Sequence, residues 1–108
     1  MKLLPIPKKS EVTSDPPVRE TRIEDQTNDW AKANGWFVAK FVSPGQRGVP
    51  DRMYIRSGIV VFIEFKRKDA EPKRHQYNKH DEMRRHGAYV HWADNHEDAI
   101  RILASYHL

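Results

Sequence analysis

The chain has 108 residues, one domain's worth, of which 38% are hydrophobic and 31% charged, so a modest core under a hydrophilic surface is expected. Its 19 Lys and Arg against 15 Asp and Glu leave a net charge of +4, a balance that suits a nucleic-acid partner without demanding one. The absence of cysteine excludes disulfides, Cys-ligated zinc and thiol nucleophiles. No apolar run approaches the ~20 residues of a transmembrane helix, and MKLLPIPKKS is too short and proline-broken for a signal peptide. A cytoplasmic protein without membrane contact is the expectation.

Residues 1–18 (MKLLPIPKKSEVTSDPPV) hold four of the seven prolines and read as an extended arm, in which Leu3, Leu4 and Ile6 could pack on a partner. The remainder, 19–108, reads as one domain. Helical spacing of Ile23, Thr27, Trp30 and Ala31 predicts a helix over Arg19 to Asn34, stopped by Asn34-Gly35. Trp36 to Val42 predicts a strand, SPGQRGVP (43–50) a loop, and Asp51 to Ile55 a second strand. Arg56-Ser57-Gly58 turns the chain into GIVVFIEFK (58–66), so an antiparallel hairpin is expected. Pro72 suits the first turn of a polar helix running to His86 and ended by Gly87. YVHWA (89–93) predicts a strand, and Asp94 or Asn95 caps a last helix with Glu97 and Asp98 in its first turn. The order implies an α/β fold, a small mixed β-sheet flanked by helices with a parallel crossover between the last two strands.

GIVVFIEFK poses a question, because a buried strand has no evident use for Glu64 and Lys66. Alternation puts Val60, Phe62, Glu64 and Lys66 on one face, and the two charges are expected to leave the core together at the strand's end. Pairing about the Arg56–Gly58 turn places Asp51 opposite residues 63 to 65, with an extra residue or a bulge bringing its carboxylate beside Glu64. Two carboxylates at one sheet edge repel unless a cation lies between them, and hard oxygen ligands suit Mg²⁺ or Mn²⁺. Lys66 beside them can orient a water or neutralise developing charge, which are the parts metal-assisted phosphodiester hydrolysis needs.

Pro50-Asp51, twelve intervening residues and Glu64-Phe65-Lys66 resemble the PD-(D/E)xK nucleases. With Gly48-Val49-Pro50-Asp51-Arg52, IVVFIEFK, Gln76 and Gly87-Ala88-Tyr89-Val90, the stretch from about Glu24 to Tyr106 is similar to the VRR-NUC (virus-type replication-repair nuclease) domain. The resemblance implies a restriction-endonuclease-like core and a Mg²⁺- or Mn²⁺-dependent endonuclease. It implies Asp51, Glu64 and the backbone carbonyl of Phe65 as metal ligands, and Lys66 as the catalytic lysine. It implies Glu24 as the upstream acid that contacts the metal or a metal-bound water, and Gln76 as a site residue on the following helix; Glu20, one turn from Glu24, is a competitor on the same helix. It further implies a homodimer acting on branched DNA such as a Holliday junction, in a bacterial or phage-infected cell.

Basic residues around these positions are candidates for phosphate contact: Lys40 before the 43–50 loop and Arg47 within it, and Arg67, Lys68, Lys73 and Arg74 after GIVVFIEFK. A solvated charged face is the alternative for each. His75, His80 and His86 are five and six residues apart and do not share a helical face, which argues against a histidine metal site. The tryptophans are expected in core or dimer packing. The competing class is a nuclease fold retained without cleavage as a DNA- or protein-binding module.

Overall fold

A computed structural model describes residues 19–106. The elements follow the expected order: α1 (Glu20–Ala33), β1 (Phe37–Lys40), β2 (Arg52–Arg56), β3 (Ile59–Phe65), α2 (Arg74–Arg85), β4 (Tyr89–Ala93) and α3 (His96–Ala104). The arm and its proposed packing through Leu3, Leu4 and Ile6 lie outside the described residues. Among the described residues no helix is long and apolar enough to cross a membrane.

The strands form one mixed sheet in the order β1-β2-β3-β4, with β1–β2 and β2–β3 antiparallel and β3–β4 parallel. Ser57 and Gly58 both have positive φ, +47° and +82°, as a two-residue hairpin turn requires. The turn fixes a regular register in which Arg52 faces Ile63 and Arg56 faces Ile59. Continued by one residue, it sets Asp51 opposite Glu64 without the bulge that the sequence suggests as an alternative.

Alternation along β3 sorts its side chains cleanly. Val61, Ile63 and Phe65 are fully buried, in a core shared with Ile23, Trp30 and Ala31 of α1 and Ala99, Ile100 and Leu103 of α3. Trp30 and Trp36 belong to this core. On the opposite face Glu64 and its neighbour in β4, Trp92, meet α2 through Gln76 and Tyr77. Glu64 therefore does not leave the core beside Lys66, as alternation alone suggests. It is only 2% exposed, and Gln76 of α2 donates to its carboxylate.

Boundaries of β1 and α2 shift, while the α3 cap is one of the two expected residues. β1 is shorter than Trp36–Val42, since Trp36 turns into the core and the chain beyond Lys40 loses regular pairing. α2 begins at Arg74 with Lys73 as N-cap, so Pro72 precedes the first turn. There the Gln76 side chain accepts the Lys73 N–H at 2.8 Å, supplying the cap. α3 is capped by Asn95, whose side chain accepts the Asp98 N–H at 2.7 Å. The 43–50 loop lies against α2. A Cβ on Gly48 would stand 2.9 Å from the His75 carbonyl oxygen, and its φ of +89° also excludes most side chains. Gln46 adds a second tie, accepting from Lys79 Nζ at 2.8 Å.

Candidate metal centre

Three elements deliver carboxylates to one place. Asp51 immediately precedes β2, Glu64 is near the end of β3, and Glu20 opens α1. One ligand atom from each lies within 4.8 Å of the other two. Asp51 is held by both neighbouring strands: its Oδ2 accepts the Phe65 N–H at 3.1 Å, and its carbonyl accepts the Phe41 N–H at 2.8 Å.

Glu64 Oε2 accepts from Gln76 Nε2 at 3.2 Å and lies 3.4 Å from Lys66 Nζ. Its other oxygen, Oε1, is buried with no hydrogen-bond partner among the described residues. Burial, and then the charge of Asp51, raise the Glu64 pKa to about 8 against the pull of Lys66. A proton or a cation must therefore accompany this carboxylate. Glu20 is raised too, by lost hydration first and by Asp51 second. Three mutually repelling acids, one carrying a bare buried oxygen, are a donor set that fits a hard divalent cation.

Glu24 sits one turn further along α1 and pairs with Arg52, Oε1 to Nε at 3.4 Å. Glu20, the competing acid, joins the three-carboxylate group in its stead. Burial raises the Glu24 pKa most, against the lowering effect of Arg52. Both acids line an open cleft of about 330 Å³ with Lys40, Phe41, Val42 and Asp51. The signal for Glu20 was present in the sequence as a helical phase shared with Glu24. What separates the two is Arg52, on the β2 face that looks at α1, and nothing local to α1 reveals that contact.

Of the basic candidates, Lys40 reaches the cleft, Arg47, Arg67, Lys73 and Arg74 are exposed, and Lys68 is half-buried. His75 reports their proximity. Its pKa is lowered by lost hydration and then by Arg47, Lys73 and Lys66, cations from the loop, the α2 cap and the end of β3. No histidine joins the acidic group among the described residues. His80 is instead fully buried and without a hydrogen-bond partner among the described residues, and burial lowers its pKa to about 4.

The chain is 38% identical over 64 residues to nuclease p44 (a provisional designation) of Acyrthosiphon pisum secondary endosymbiont phage 1, spanning 58% of this chain and 69% of that protein. A solved structure described as a VRR_NUC domain superposes with a TM-score of 0.74 at 26% identity, covering 82% of this chain and 97% of its own. A second, described as a VRR_NUC domain protein, gives 0.73 at 15% identity over 84% and 89%, a likeness of fold alone. No family model matches the chain.

Proposed function

The chain belongs to the VRR-NUC nucleases, and from that premise we propose that it is a divalent-metal-dependent, structure-specific DNA endonuclease. The observation that carries the reading is Glu64: a buried carboxylate with one bare oxygen, grouped with Asp51 and Glu20 and contacted by a lysine. A structural ion pair does not need the second and third acids, which only raise its cost.

In this reading Asp51, Glu64 and Glu20 hold the ion, with the Phe65 carbonyl as a further ligand and Glu24 beside them on Arg52. Bound Mg²⁺ or Mn²⁺ would supply Lewis acidity toward the phosphate and a lowered water pKa. Lys66 Nζ orients the attacking water and neutralises charge as it develops on the phosphate. Gln76 holds Glu64 Oε2 and leaves Oε1 available for the ion. Lys40, Arg47, Arg67, Lys68, Lys73 and Arg74 bind the flanking phosphates. A homodimer would present two such sites, suited to symmetric cutting of a Holliday junction or other branched DNA, in the cytoplasm of a bacterial or phage-infected cell.

The test compares wild type, Lys66→Ala and Asp51→Asn on labelled four-way junction, flap, single-stranded and linear duplex DNA, with Mg²⁺, Mn²⁺ or EDTA. Cleavage that requires metal, prefers a branch and falls by roughly a hundredfold or more in both variants is expected. Binding without cleavage under every metal would instead leave a catalytically inactive binding module.

A further inference from the structure

Glu20 stands at the least supported turn of its helix, where the N-cap, Arg19, makes no side-chain capping bond. Apolar contacts through Ile23, Trp30 and Ala31 keep α1 on the sheet, but such contacts are non-directional and set the helix's height and rotation weakly. Directional contacts to β2 supply what is missing. Arg52 Nε donates to Glu24 Oε1 at 3.4 Å, and Tyr54 Oη donates to Asn28 Oδ1 at 2.6 Å in a buried environment.

These contacts repeat with matched spacing. Glu24 and Asn28 are one helical step of four residues apart, ~6 Å of rise. Arg52 and Tyr54 are alternate residues on one strand face, about 6.6 Å apart. Helix and strand advance in the same direction through both rungs. Continued one rung toward the N-termini, the helix presents Glu20 and the chain before β2 reaches Pro50, beside Asp51, so the acidic cluster of Glu20, Asp51 and Glu64 lies just past this end of the polar ladder.

We propose that Arg52 and Tyr54 are positioning residues for the metal centre: by holding Glu24 and Asn28 they set α1 so that the Glu20 carboxylate reaches Asp51 and Glu64. Arg52 also occupies Glu24 and keeps it from competing for the ion. The inference rests on reading the acidic cluster as a metal centre.

The experiment is calorimetric titration of the metal-free protein with Mn²⁺, beside far-UV circular dichroism and melting in EDTA for every variant. Arg52→Met is expected to weaken Mn²⁺ binding about tenfold, the scale at which groups supporting a ligand act, and Arg52→Lys to recover most of the loss. In a Glu20→Gln background Arg52→Met should cost nothing further, because the ligand it positions is gone. Tyr54→Phe removes one oxygen, keeps the ring in the core and carries the same test should Arg52→Met fold poorly; it too should weaken binding, by a few-fold. Unchanged affinity in Arg52→Met and Tyr54→Phe, or equal losses in both backgrounds, would overturn the proposal. So would a loss in Glu24→Gln as large as in Asp51→Asn, which makes Glu24 the ligand. Wild type that binds no Mn²⁺ removes the metal-centre reading together with the inference, whereas wild-type binding with unaltered variants removes the inference alone.

Discussion

In the proposed metal centre, Glu64 sets function against stability within one side chain. Its pKa is about 8 in the folded chain against an ordinary 4.5, so the folded state holds a proton that the unfolded state has released between those values. Its favourable contribution is complete below pH 4.5 and is lost as pH rises through 8. His80 works in the opposite sense over a different range. Folded at about 4 and ordinarily 6.5, it is neutral in the core while the unfolded chain binds a proton, so its contribution is lost as pH falls from 6.5 to 4. Between pH 6.5 and 8 the loss of the Glu64 contribution therefore outlasts most of the gain from His80. The melting temperature of the metal-free protein should fall across that interval in scanning fluorimetry, and Mn²⁺ at pH 8 should restore it. Glu64→Gln should flatten the fall and abolish the rescue. A rescue retained in Glu64→Gln would show that the ion binds elsewhere.

At the scale of elements, the hairpin and the 43–50 loop place Asp51, and they differ in how openly the sequence announces them. The β2–β3 register follows from Arg56-Ser57-Gly58 and the apolar run after it, which is why Asp51 and Glu64 can be paired from the sequence. The burial of Glu64 cannot be read that way, because it involves side chains brought in from elsewhere in the chain, such as Gln76 of α2, twelve residues away. The choice between Glu20 and Glu24 is hidden for a similar reason: the acids share a helical stripe, and Arg52, which takes one of them, is 28 residues from Glu24. Nor is the seating of the loop visible in GQRGVP. Gly48→Ala should expose it, because the new methyl meets the His75 carbonyl at 2.9 Å in a backbone conformation that disfavours it. A cost of roughly 1–3 kcal/mol in urea denaturation is expected, with weaker Mn²⁺ binding as Pro50-Asp51 shifts. Phe65→Ala, by contrast, opens the core behind the site and should cost about 3–5 kcal/mol.

For the molecule as a whole, charge is distributed toward the proposed substrate. The loop, the α2 cap and the end of β3 contribute Arg47, Lys73 and Lys66, close enough together to act on the same histidine. A net charge of +4 is too small to reveal such clustering from composition. If these residues contact phosphates, Arg47→Glu and Lys73→Glu should weaken DNA binding about equally across sequences. Each should also reduce the salt dependence, the slope of log K against log salt, by about 0.9 per lost contact with duplex DNA. Fluorescence anisotropy in EDTA, where cleavage is suppressed, measures this directly. An unchanged slope would assign those cations to a solvated face.

The two-residue turn at Ser57-Gly58 also works as a ruler. A hairpin with a fixed turn grows or shrinks by one residue in each strand, so the count between the Asp and the Glu can change only in twos. Here it is twelve. A single residue inserted in β3 moves every side chain from there to the turn onto the other face or pulls Glu64 out of line with Asp51. A matched pair, one in each strand beside the turn, leaves both carboxylates where they were. Homologues built on the same turn should therefore keep an even interval between these acids, and an odd one should signal a bulge or a different turn.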